Sequence, residues 1–222
     1  MHDTFLDQII FGVYEVFANI IPGTILLLTI IFVLQKIDIL MDIIPEVSLF
    51  FNDFYFIFFF FVAFIFGQGI QSVSSLFEKL INKIKYDGYP SEIYLNENDN
   101  TFPKYFKDNI RKKLNESFGT PIDSSSQHIF DLCYTYIIQK NISKRVVQFL
   151  HMYTFSRNMM ATMLIEAIIF IILYLYNPSS FYAFIGVLSI IFICMFYQRF
   201  SRYAESFAKE VYKSYFIEVI FS

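Results

Sequence analysis

Four long apolar runs, set as two pairs around a polar middle, constrain this chain more than any motif it carries. The first pair is 14–35, YEVFANIIPGTILLLTIIFVLQ, and 51–72, which opens FNDFYFIFFFFVAFIF. The second pair is 158–176, NMMATMLIEAIIFIILYLY, and 181–197, FYAFIGVLSIIFICMFY. Roughly 20 apolar residues in a helix cover the hydrocarbon core of a bilayer, about 30 Å thick. Within lipid a segment must satisfy its own backbone hydrogen bonds, which selects helices for runs of this kind. The expected fold is all-α: a multi-pass membrane protein with two transmembrane helical hairpins, 1–75 and 158–222, flanking a helical cytoplasmic domain, 76–157.

The pooled composition, 56% hydrophobic and 17% charged, hides this contrast, because the charge is concentrated in the middle and after the fourth run. Aromatic content of 21%, mostly Phe, suits helices whose outer surface meets lipid. A net charge of −3 argues against a dedicated nucleic-acid binder, for which a basic excess is expected. Cys133 and Cys194 fall in different settings and read as reduced thiols rather than a disulfide framework. The start, MHDTFLDQ, lacks the basic region of a signal peptide, so the first run reads as a retained span preceded by a short interfacial lead-in, Thr4–Phe17.

Basic residues set the orientation, since cytoplasmic loops carry an excess of Lys and Arg. Between the first two spans only Lys36 is basic, beside Asp38, Asp42 and Glu46, and the loop at 177–180 has no charge. Every other Lys and Arg lies in the middle or beyond the fourth span. Both hairpin loops are therefore expected outside, with the termini and the middle domain in the cytoplasm.

Helical punctuation fills in the rest. Pro22–Gly23 predicts a bend in span one or a preceding half-helix, with Gly23 allowing a neighbour to approach closely. After span two, Gly67–Ser75 is small and polar. Apolar spacing then resumes at Leu76, Phe77, Leu80, Ile81 and Ile84, so the span is expected to continue as a stalk. A loop over 86–102 precedes a helix opened by Pro103, running from Lys104 to Phe118 and stopped by Gly119. A third cytoplasmic helix, capped by Asp123 or a serine of 124–126, runs to about Lys140. A fourth starts near Ser143 and meets no Gly or Pro before Asn177. The last span runs on into 199–216. There Phe200, Tyr203, Phe207, Val211 and Tyr215 share one side, opposite Arg199, Arg202, Lys209 and Lys213, to pack on the cytoplasmic domain or the membrane surface.

Intramembrane polar residues are costly and mark function or helix-joining hydrogen bonds. Glu166, eight residues into span three, reads either as part of an ion or proton pathway or as a hydrogen-bonded link between helices. Asn19, Gln68 and Gln71 are the other intramembrane candidates. Arg157 and Asn158, at the entrance to span three, suit an interfacial anchor, an oligomer contact or an effector-sensing pair. Lys107, Arg111, Lys112 and Lys113, with Lys104, form a surface stripe on one helix that is either solvated or binds an anionic ligand. Arg145 and His151 match the Arg-x5-His spacing of HEPN-type ribonucleases and are the only catalytic candidates. Val146 stands where those enzymes carry a polar residue, and a separation of six puts the pair on different helix faces. No metal-ligand spacing surrounds His128, and no cofactor is implied.

Three segments carry a resemblance: Ala18–Thr24 (ANIIPGT), Gly88–Glu92 (GYPSE) and Val146–Asn158 (VVQFLHMYTFSRN). Together they resemble small four-span bacterial membrane proteins of the kind found among antiviral-defence genes. The resemblance implies a four-span protein of about this length, of a kind that sometimes serves as a membrane-perturbing effector, and carries over no catalytic residue. The functional expectation is an oligomeric membrane effector or sensor, without enzymatic activity, that perturbs or permeabilises the inner membrane in response to a cytoplasmic signal or protein partner. The alternatives are a scaffold recruiting a cytoplasmic enzyme and, third, a membrane-anchored RNase. Its partners are the lipid bilayer, further copies of itself, and a cytoplasmic protein or an anionic signal ligand.

Overall fold

The structure, a computed structural model, describes residues 2–36, 55–86, 88–118, 126–140 and 142–221, with side chains of the first helix described from Tyr14 except Glu15. The first hairpin loop with Asp38, Asp42 and Glu46, the start of span two at 51–54, the Gly119 stop and the Asp123 cap lie outside the described residues. All regular structure among the described residues is helical: α1 His2–Lys36, α2 Tyr55–Tyr86, α3 Pro90–Ile93, α4 Lys104–Phe118, α5 Ser126–Gln139, α6 Lys144–Tyr176 and α7 Ser180–Phe221. Four of these, α1, α2, α6 and α7, are long and apolar enough to cross a membrane.

The unbroken pattern from Ser143 to Asn177 becomes the single helix α6, and the last span and its tail become the single helix α7. The half-helix expected before Pro22 does not form, because α1 continues through the proline. The loop expected over 86–102 contains α3. There Pro90 opens the helix with its pre-set φ, and the Tyr89 N–H donates to Glu92 Oε2 at 3.4 Å.

The chain forms two compact units. Unit one is Met1–Phe77 with Thr154–Arg199; unit two is Glu78–Tyr153 with Phe200–Ser222. The α7 tail thus belongs with the middle of the chain rather than with the C-terminal hairpin.

Unit two is held by an aromatic-rich core. On α4, Phe106, Ile110 and Leu114 recur every four residues, extending from Phe102; on α5, Ile129, Cys133 and Ile137 do the same. From α7 come Ala208, Val211, Tyr212 and Tyr215. Phe102 stacks on Phe106 at 4.4 Å between centroids, and Phe106 on Phe216 at 4.2 Å. Tyr212 is fully buried and its hydroxyl donates to the Ser91 carbonyl at 2.6 Å, so α7 also fixes the start of α3. Of the two placements foreseen for the α7 tail, packing on the middle domain is the one observed.

Burial pushes the Cys133 thiol up from its ordinary range, which lowers its thiolate fraction at neutral pH. The expected result is that a water-soluble maleimide leaves Cys133 unmodified in the folded protein and modifies it after denaturation in SDS, read by mass spectrometry. Rapid labelling in the folded state would contradict this core.

Candidate functional site

A polar seam inside unit one is the arrangement most open to a functional reading. It starts from the backbone. Pro22 has no N–H, so the carbonyl four residues back, on Ala18, loses its helical donor. Asn158 Nδ2 on α6 donates to that carbonyl at 3.2 Å and lies 3.4 Å from Asn19 Oδ1. Because a carbonyl only accepts, this contact fixes the amide orientation and turns Asn158 Oδ1 toward α2. There the Ser74 hydroxyl donates to Oδ1 at 2.7 Å, and the Asn158 main-chain carbonyl accepts from Thr162 Oγ1 at 3.0 Å. Asn19, Ser74, Asn158 and Thr162 are all buried.

Close backbone approach makes this possible. A Cβ placed on Gly67 would fall on the carbonyl group of Asn19. One placed on Gly23 would fall on the Ala63 carbonyl and come within 2.6 Å of the Gly67 nitrogen. Asn19-x3-Gly23 on α1 therefore meets Ala63-x3-Gly67 on α2 as paired small-residue faces. Leu26, Ile70 and Ala161 fill the space beside this crossing.

Eight residues further along α6, about 12 Å by helical rise, comes a second polar level. Thr29 Oγ1 lies 2.6 Å from Glu166 Oε1, and the Ser189 hydroxyl also hydrogen-bonds the Glu166 carboxyl. Thr29 Oγ1 is 3.1 Å from the Ile25 carbonyl as well, so its single proton serves one acceptor at a time. Glu166 therefore links α1, α6 and α7. Of the two readings open for it, the structure displays the hydrogen bonds of the helix-joining one.

The remaining candidates are dispersed. Gln68 is exposed on the outer face of α2, and Gln71 is half-buried, with its main-chain carbonyl accepting from Ser74. Arg157 is half-buried beside Asn158 on α6. The basic stripe on α4 is not a uniform surface. Lys107 is buried and its ammonium donates to the carbonyls of Asn96 and Asp99, while Arg111 Nη2 donates to the Leu95 carbonyl at 2.8 Å. Both side chains pin the segment ahead of α4. Lys112 and Lys113 sit 3.9 and 3.3 Å from Glu116. A cleft of about 420 Å³ beside them mixes Lys104, Lys107 and Arg111 with Glu97, Asp99 and Asp108, a balance of charge rather than an anion cradle. Replacing Lys107 by Met keeps its length and removes both hydrogen bonds. The expected cost is about 2 kcal/mol, with faster tryptic cleavage near 96–104.

Arg145 is largely exposed in the first turn of α6, with Nη1 3.9 Å from Glu210 Oε1, and His151 is half-buried six residues on. A smaller cleft of unit two, about 210 Å³, is bordered by Glu78, Asp131, Phe130, Tyr153 and Phe207. Sequence reasoning missed Thr29, Thr162 and Ser189, and reached Ser74 only as a member of the small, polar run Gly67–Ser75. Small hydroxyl residues give no periodic signal of their own, and only their spacing along helices facing Asn158 and Glu166 marks them. No family model matches the chain, and no match was found among curated proteins or solved structures.

Proposed function

We propose that this chain is a homo-oligomeric inner-membrane effector, with both termini and unit two in the cytoplasm. On this reading a cytoplasmic signal or protein partner engages unit two and the spans then permeabilise the bilayer. The observation that carries it is how the polar residues of unit one are used. Asn19, Ser74, Asn158, Thr29, Glu166 and Ser189 are engaged with one another, which favours a role in holding the helices together over a polar path through a single copy. Perturbing the bilayer is then a task for several copies. The helices α2, α6 and α7 each supply residues to both units, so a change bound in unit two has a covalent route to the spans.

The test is induction in bacterial cells with a membrane-potential dye and ion-leak measurements. Loss of potential on induction supports the proposal. An unchanged potential together with a monomer at all detergent-solubilised concentrations would sink it. In the same assay Glu166→Gln is expected to retain the leak within about twofold, because the amide oxygen still accepts from Thr29 and Ser189. Loss of leak in a well-folded Glu166→Gln protein would instead restore the ion-pathway reading.

A further inference from the structure

The smaller cleft of unit two, about 210 Å³, is both acidic and aromatic. Glu78 on α2, Glu92 on α3 and Asp131 on α5 bring three carboxylates to it, and among the described residues no Lys, Arg or His lines it. The lysines next to its lining turn elsewhere: Lys79 is exposed, one position round α2 from Glu78, and Lys209 lies over the Tyr94 ring at 5.1 Å. Phe130 and Phe207, 5.8 Å apart between centroids and inclined at 76°, make an aromatic corner, to which Tyr153 adds a third ring. All three rings are only half-buried. Aromatic faces attract cations, and a cleft of one charge sign between apolar walls focuses that attraction.

A separate observation lies in the wall of the cleft. Asn82 is 1% exposed, and neither its Nδ2 nor its Oδ1 has a hydrogen-bond partner among the described residues. It stands one turn after Glu78 on the same face of α2, and its main-chain carbonyl accepts from the Gly88 N–H at 3.4 Å. The amide therefore belongs to the wall between Glu78 and the start of α3. A buried amide left unpaired is costly, and nothing within the chain repays it. Glu92 spends one carboxylate oxygen on the Tyr89 N–H, and Asp131 is exposed at the rim. Their charges converge: the Tyr212 phenol is pushed up by burial first, then by Cys133, Asp131 and Glu92.

We propose that this cleft binds a small organic primary ammonium, its head on the carboxylates of Glu92 and Asp131 and its hydrocarbon body against Phe130 and Phe207. Three N–H donors suit a site built of acceptors, and Asn82 Oδ1 supplies one more. The charge of the lining rejects an anion. A metal ion fits less well, because among the described residues no three His, Cys, Asp or Glu side chains gather closely enough to hold one. Carboxylates spread around an aromatic hollow match a cation with an apolar body instead. The inference rests on the reading that unit two receives a cytoplasmic signal, and it names the chemistry of that signal.

Titration calorimetry of the full chain in an uncharged detergent tests it, with butylammonium as the probe and butyrate and tetramethylammonium as controls. Butylammonium is expected to bind saturably, at least about fivefold more tightly than tetramethylammonium, which has the charge but no N–H. Asp131→Lys, at an exposed position, puts a tethered ammonium on the rim and lowers the affinity at least about tenfold. Asn82→Leu is expected to weaken binding at least about fivefold without lowering the thermal midpoint of the free protein, since the amide it removes has no partner. No saturable binding of butylammonium, butyrate bound as tightly, or an affinity indifferent to Asp131→Lys would overturn the proposal. Membrane potential is followed in cells expressing the same variants. A leak that persists in Asp131→Lys after binding is lost removes the ammonium as the signal and spares the effector reading, while binding without leak does the reverse.

Discussion

Alanine at Gly67 is expected to disrupt unit one although alanine is the better helix former. The added Cβ would fall on the Asn19 carbonyl group, and no rotamer change relieves a collision between a Cβ and a backbone. The helices must separate, which also pulls Asn19 away from Asn158. The expected loss is about 3 kcal/mol or more, the upper end for overpacked sites. Gly23→Ala, aimed at the Ala63 carbonyl, is expected to behave similarly. Gly69→Ala, two residues along the same helix in open space, is expected to be neutral or to stabilise by up to about 1 kcal/mol. Unfolding in SDS titrations, followed by circular dichroism, separates these outcomes. A tolerated Gly67→Ala would mean that α1 and α2 do not cross where the structure puts them.

Asn158→Leu is the second large effect. Leucine fills the volume, but the Ala18 carbonyl, already deprived of a donor by Pro22, then has none, and Ser74 loses its acceptor on α6. One buried acceptor without a partner costs about 1–3 kcal/mol, so the sum should reach about 2–4 kcal/mol. The diagnostic measurement is a double-mutant cycle with Pro22→Ala, which restores an N–H four residues after Ala18. In that background Asn158→Leu is expected to cost at least about 1 kcal/mol less. Strict additivity would show that Asn158 does not serve the proline.

Much of the architecture was legible because it rests on local signals. The helix over 104–118 follows from Pro103 and its apolar spacing, and α6 follows from an unbroken run without Gly or Pro. The side of the α7 tail was legible only in part. Phe200, Val211 and Tyr215 are buried as the pattern implies, but the hidden strip also runs through Ala204, Ala208 and Tyr212. Two alanines dilute a hydrophobic pattern, and a tyrosine with an available hydroxyl reads as surface until Ser91 is found opposite. The site was legible by residue type and not by pairing. Asn19, Asn158 and Glu166 stand out because polar side chains are rare in such runs. Their partners Thr29 and Ser74 come from other helices, and sequence spacing carries no information about those. Lys107 was misread for the same reason: a lysine in a basic stripe looks solvated until the carbonyls of Asn96 and Asp99 fold over it.

The proline bond has a consequence for how the molecule is made. The Ala18 carbonyl, opened within α1, receives its donor from a residue 140 positions later. Glu166 reaches Thr29 across a similar 137. A chain of which only α1 and α2 have been made is therefore an unfinished object, because Asn158 and Glu166, the partners of the Ala18 carbonyl and of Thr29, do not yet exist. The fold is thus closed from its far end, since the polar groups of α1 find these partners only once α6 has been made.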